Sequence, residues 1–182
     1  MSDTRKGFFY SKEFACRFCS ATFTVWRLYP TTRTQIERLD EYFDIAYYKS
    51  SDPNAMFCDY MLVEVRVCPD CAFSTNDDTQ FAGGSWDPDS HEIEAIRAQA
   101  VSRRKIASTA PGLQAFPREV PDAEVSFKLG IHCATTLYNV SPRRNAIELA
   151  RVGNYALKAA MMSERLGQPE RVDTWRRAAL ES

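Results

Sequence analysis

Two short cysteine pairs constrain this chain more than any other feature. "EFACRFCSATF" (13–23) places Cys16 and Cys19 three positions apart, and "VEVRVCPDCAFS" (63–74) repeats the device with Cys68 and Cys71. Two C-x-x-C turns brought face to face supply four thiolates in the tetrahedron that zinc prefers, with Zn–S near ~2.3 Å. A redox pair, another metal or buried thiols without metal are the competing readings. A redox motif would open a helix in a βαβ setting, and no such alternation is present. Four thiolates also close the coordination sphere, which points to a structural ion rather than a catalytic one; iron can occupy the same ligands.

Forty-eight residues lie between Cys19 and Cys68, against roughly 15–20 in a compact zinc ribbon. Closing the longer loop costs roughly 1 kcal/mol more. Structural zinc binding is worth about 10–16 kcal/mol, so the metal dominates. The expectation is one structural Zn2+ held by Cys16, Cys19, Cys68 and Cys71. Cys58 and Cys133 remain as spare buried thiols. His132 precedes Cys133 in a helical stretch, where neighbours point about 100° apart, a poor arrangement for a thiol–imidazole dyad. His91 falls in the first turn of a helix and is expected to be solvated.

The pattern around the pairs is β-rich. "TFTVWRLY" (22–29) reads as a strand closed by Pro30, and "MLVEVRVC" (61–68) as a half-buried strand with Val63, Val65 and Val67 inward and Glu64 and Arg66 outward. Ile36, Leu39 and Phe43 sit at helical spacing and suggest a short helix. "KSSDPN" (49–54) reads as a turn. "FAGGSW" (81–86) reads as a linker.

Past Pro88 the chain turns helical. Asp89 or Ser90 caps a helix to about Ser108 with Ile93, Ile96, Ala100, Val101 and Ala107 as its apolar stripe. A proline-rich loop (109–122) precedes a helix over 122–139. Pro142 opens a third helix reaching Leu166, with Leu149, Val152, Ala156, Ala159 and Met162 on one face. Gly167 then ends it, and Pro169 starts a last helix carrying Val172, Trp175 and Ala179. The layout is α+β: a zinc-ribbon domain at 1–84 with a long insertion, then an antiparallel helical domain at 85–182.

The segments "FDIAYYKSSDPN" (43–54) and "EVRVCPDCAFSTNDDTQF" (64–81), with the tail at 151–182, resemble a bacterial family known as domain-of-unknown-function family 2225. That resemblance implies two zinc knuckles followed by a helical tail similar to tetratricopeptide repeats. Tyr47, Tyr48 and Lys49 match the family's aromatic segment, and "LGQPE" (166–170) stands where a repeat has its inter-helix turn. Two positions depart. Ala72 replaces the glycine usual after the second knuckle, so a left-handed backbone is not expected there. Asp44 stands near an expected cysteine, with Cys58 appearing later instead.

The chain has 182 residues, 45% hydrophobic and 26% charged, with net charge −1. No apolar run reaches membrane-span or signal-peptide length, so a cytoplasmic protein is expected. Residues 1–84 hold nine Lys/Arg and twelve Asp/Glu (−3); residues 85–182 hold fourteen and twelve (+2). No phosphate loop, nucleophile elbow or H-E-x-x-H appears, so no enzyme is expected. The expected function is a protein-interaction adaptor or assembly factor acting through the C-terminal helices. The alternative is a nucleic-acid-binding regulator using Arg103, Arg104, Lys105, Arg143 and Arg144, with steep salt dependence.

Overall fold

The computed structural model describes residues 9–28, 34–39, 45–50 and 58–180. Strand β1 (Phe9–Ala15) pairs antiparallel with β2 (Thr22–Leu28). β3 (Thr34–Leu39), β4 (Ile45–Ser50) and β5 (Cys58–Asp59) form a second sheet in that order. β6 (Arg66–Val67) and β7 (Ser74–Thr75) form a third, two-stranded sheet. The helices are α1 (Ser90–Ala98), α2 (Ala100–Ala107), α3 (Val120–Val140), α4 (Asn145–Arg165) and α5 (Pro169–Leu180). Small antiparallel sheets followed by helices make this an α+β fold. Among the described residues no helix is long and apolar enough to cross a membrane.

Three local expectations are corrected. Thr34–Leu39 is a strand rather than the start of a helix: its backbone finds partners in β4, which overrides a short helical spacing. The rest of that segment, through Phe43, and most of the 49–54 turn lie outside the described residues. The supposed strand at 61–68 is mostly irregular, with a 3-10 turn at Tyr60–Leu62 and only Arg66–Val67 paired. Its polar residues are inside. Glu64 is 3% and Arg66 8% exposed, because Lys158 of α4 and Asp78 meet them from the opposite side. Alternation signals a solvated face only when nothing covers that face.

The helix expected at 90–108 is two helices. Asp89 caps α1 with a full capping box: its side chain accepts from the Glu92 amide, and Glu92 accepts from the Asp89 amide. At Gln99 the chain turns. The Ile96 carbonyl, freed at the end of α1, is taken by Arg103 Nη2 at 2.7 Å. Beyond the turn, Val101 is 72% exposed while Arg103 is fully buried.

α3 is the central element. It packs against α1, α2, α4 and β7, and ten of its residues are buried along its length. α4 packs on α3 and α5 on α4, joined by short turns that make each pair antiparallel. Pro142 stands in the turn before α4 rather than inside it. α3 and α4 meet closely at Gly130, where an added Cβ would sit 3.0 Å from the Tyr155 ring. Gly167 ends α4 at φ +66°, with the Gln168 amide donating to the Ser163 carbonyl, so the expected cap is present.

Two apolar clusters hold the molecule together, and each draws residues from both sides of position 84. One joins Met61, Val65, Val67 and Ala72 to Phe127, Tyr155 and Met162. The other joins Phe14, Phe18, Phe73 and Phe81 to Ile96 and Leu137. The segment expected to be a linker contributes Phe81 and Trp86 to the second cluster. Phe81 stands edge-on to Phe14, Phe23 and Phe73 at 5.3, 5.5 and 5.8 Å between centroids. Arg17 then fastens this segment by donating to the carbonyls of Phe81 (2.9 Å) and Gly84 (2.7 Å).

Candidate metal centre

Each cysteine pair is the turn of a two-stranded hairpin. The first lies between Ala15 and Thr22, the end residues of β1 and β2, and the second between Val67 and Ser74 of β6 and β7. Only one flanking strand of each was legible in the sequence; β1 and the two-residue β7 were not.

The two turns close with the same bonds. In the first, the Ser20 amide donates to the Cys16 carbonyl (2.9 Å) and the Cys16 amide to the Ala21 carbonyl (2.8 Å). In the second, Ala72 donates to Cys68 (3.0 Å) and Cys68 to Phe73 (2.8 Å). The residue after each second cysteine is left-handed: φ is +63° at Ser20 and +54° at Ala72. The expectation that Ala72 would avoid this conformation is corrected. Packing holds it there: Ala72 is 1% exposed in the core, and Phe73 beside it is completely buried. A non-glycine residue in this conformation costs roughly 1–2 kcal/mol.

The four sulfurs converge. Sγ of Cys16 lies 3.6 Å from that of Cys71, Sγ of Cys19 lies 3.5 Å from that of Cys68, and all four fall within 4.8 Å of one another. Every one is a free cysteine; a disulfide would need about 2.05 Å. The edge of a ZnS4 tetrahedron is about 3.8 Å for Zn–S bonds of ~2.3 Å, so the spacing fits a four-thiolate ion with little adjustment.

The crowded sulfurs have split acidities, Cys16 and Cys68 raised and Cys71 lowered. Hydrogen bonding from Cys16, and after it Cys68, pulls the Cys71 thiol far below its ordinary range. Cys16, bonded to Cys68 and Cys71 and buried, is pushed up. The Phe73 amide adds a bond to the Cys71 sulfur. Only thiolates ligate a metal ion, so metal entry releases the thiol protons. Three of the thiols are buried and Cys19 faces solvent.

The other singled-out residues do different work. Cys133 is buried and its sulfur accepts the Ser74 amide at 3.3 Å, tying α3 to β7. Burial pushes its thiol up to about 11, which makes it inert. His132 is not bonded to it; burial, and then the charge of Arg103, lower the His132 pKa. His91 is exposed. The side chain of Cys58 lies outside the described residues, as do those of Tyr47, Tyr48 and Lys49.

Among the basic residues, Arg104, Lys105 and Arg143 are exposed. Arg144 pairs with Glu148 at 2.8 Å and stacks over Trp86 at 4.9 Å. Arg103 is corrected outright: at 0% exposure it cannot reach a nucleic-acid backbone. Its spacing could have shown this, since it stands seven residues after Ile96 and three after Ala100, on their helical face.

The fold and the sulfur cluster define a class: paired cysteine knuckles on small antiparallel sheets, capable of holding a metal, followed among the described residues by five helices. A family model described as "Uncharacterized protein conserved in bacteria (DUF2225)" matches residues 9–182, and the chain belongs to that family. Comparison with curated proteins finds no match, and comparison with solved structures finds none.

Proposed function

We propose that this protein is a non-enzymatic adaptor: a structural zinc fixes its knuckles, and its tetratricopeptide-like helices hold a segment of a partner protein. The observation that carries this reading is an open groove of 610 Å³ along α4. Ala146, Ile147 and Ala150 give it an apolar strip, and Ile147 is 51% exposed. Asn154, Asn76 and Arg151 stand along the same groove as hydrogen-bonding groups. An apolar strip beside fixed polar groups suits a peptide, whose side chains and backbone need both. Zinc is favoured as the ion because the cluster offers four thiolates and no open position.

The test is a tagged pull-down from native cells with nuclease treatment, comparing the wild type with Ile147→Asp. The substitution puts a charge in the strip without touching the core. A defined set of proteins retained after nuclease and lost with I147D supports the adaptor. Partners released by nuclease, and insensitive to I147D, would move the function to the exposed cations Arg104, Lys105 and Arg143.

A further inference from the structure

Among the described residues four cations are buried, and two of them have an acid to answer them. Lys158 contacts both carboxylate oxygens of Glu64 at 2.7 Å, and Arg66 meets Asp78 at 3.2 Å. Arg118, also buried, donates to the Leu113 carbonyl at 2.6 Å and to the Leu62 carbonyl at 3.5 Å, with no carboxylate paired to it among the described residues. Arg103 is the most deeply buried of the four. Its side chain is completely buried, and among the described residues no carboxylate pairs with it. Nε donates to the Cys71 carbonyl at 3.3 Å, Nη2 donates to the Ile96 carbonyl at 2.7 Å, and Nη1 has no partner. Carbonyl dipoles alone are weak compensation for a full charge removed from water.

What lies beside it is the sulfur cluster. Arg103 bonds to the backbone of one cysteine and lines a cavity of 320 Å³ together with Cys19 and Cys71. Arg97 and Arg104 line the same cavity, with Asp70 its one acid. Four neutral thiols would leave the guanidinium unanswered. Four thiolates around a divalent ion carry a net charge of −2, and that charge would sit next to Arg103.

We propose that Arg103 is the built-in counter-charge of a four-thiolate metal centre, so that metal loading and the seating of α2 are linked. This rests on the metal reading of the four cysteines and goes beyond it, because it assigns the buried arginine a partner that forms only when the ion is bound. The linkage is reciprocal: whatever the metal contributes to Arg103's burial, Arg103 contributes to holding the metal. Groups just outside the ligand shell of this kind change metal affinity by about 10–100-fold.

The experiment compares wild type with Arg103→Met and Arg103→Lys. Zinc affinity is read by chelator competition, cobalt substitution reports the ligand set, and melting is followed with and without metal. The expected result is a drop of about 10–100-fold in zinc affinity for R103M, a metal-free melting temperature unchanged or raised, and substantial recovery of affinity in R103K. If R103M binds zinc as tightly as wild type, or destabilises both states alike without loss of affinity, Arg103 is only a link between α1 and the second knuckle and the proposal is overturned. Should R103M not fold without metal, Arg103→Gln replaces it in the loaded state; equal affinity of R103Q and R103K overturns the proposal equally. A wild type that shows no four-thiolate cobalt spectrum refutes the metal reading itself, whatever the Arg103 variants do.

Discussion

The two cysteine knuckles have one backbone and two different surroundings. Both turns close with the same pair of hydrogen bonds and end in a left-handed residue. The first stands at the tip of the β1–β2 hairpin with Cys19 and Ser20 exposed. It is held by two arginines: its own Arg17 grips the 81–84 segment, and Arg97 of α1 donates to the Phe18 carbonyl at 2.8 Å. The second is inserted in the helical core, where Cys71, Ala72 and Phe73 are buried and Cys133 and Arg103 bond to it from α3 and α2. The motif sets the turn, and the packing around it sets how much of the fold depends on it.

The largest expected effect follows from that asymmetry. Either knuckle loses its cross-link when a ligand is removed, but Cys68 and Cys71 are buried whereas Cys19 is exposed, so loss of a second-knuckle ligand disturbs more packing. Cys71→Ser and Cys68→Ser should therefore abolish the cooperative melt of the sheet region, with loss of the near-UV spectrum, whereas Cys19→Ser should lower the melting temperature by less. Chelation of the metal should reproduce the larger effect. Equal losses at Cys19 and Cys71 would break the comparison.

The second knuckle is also tied to α4 through the segment preceding it, by the buried Glu64–Lys158 pair. Removing one partner leaves the other charge uncompensated, so Lys158→Met should cost about 3–5 kcal/mol in denaturant unfolding. The double variant Glu64→Leu/Lys158→Met should recover most of that loss. Gly130→Val pushes against Tyr155, whose hydroxyl donates to Asn76 Oδ1 at 2.7 Å, just past the second knuckle. It should cost about 1–3 kcal/mol by overpacking.

Ser20→Gly and Ala72→Gly sharpen the comparison directly. Both relieve a left-handed residue, worth about 1 kcal/mol. At exposed Ser20 little opposes the gain, so S20G should raise stability. At buried Ala72 the lost methyl costs about 0.8 kcal/mol, so A72G should come out near neutral. The smallest effect is a pH dependence at Asp77. Burial would raise its carboxyl, but bonds from Thr79 and the Arg151 charge outweigh this and hold it below the usual value. Its folded pKa is therefore the lower one. Its contribution is complete above the unfolded value of about 3.9 and is lost as pH falls through the folded value. Asp77→Asn should flatten the acid limb of a stability–pH curve.

Much of this was legible in the sequence, for reasons that differ by element. The cysteine spacing announced the cluster because four thiols in two matched pairs have few other uses. α4 and α5 were readable because their apolar stripes and their ends, Gly167 and Pro169, are local signals. The 61–68 segment was not, because Glu64 and Arg66 are buried by residues far along the chain, Lys158 and Asp78. The break at Gln99 was hidden for a different reason: no glycine or proline marks it, and the Ile96 carbonyl at the end of α1 is taken by the side chain of Arg103 in α2. Ala72 was misjudged because tertiary packing, which a single sequence does not display, holds it in a conformation its chemistry resists.

The central claim is that Cys16, Cys19, Cys68 and Cys71 bind one metal together. The most direct test is zinc X-ray absorption on purified protein with a measured metal content. The account predicts one zinc per chain with four sulfur neighbours at about 2.3 Å. A chain that retains no metal, or a zinc with nitrogen or oxygen in place of a sulfur, would contradict it.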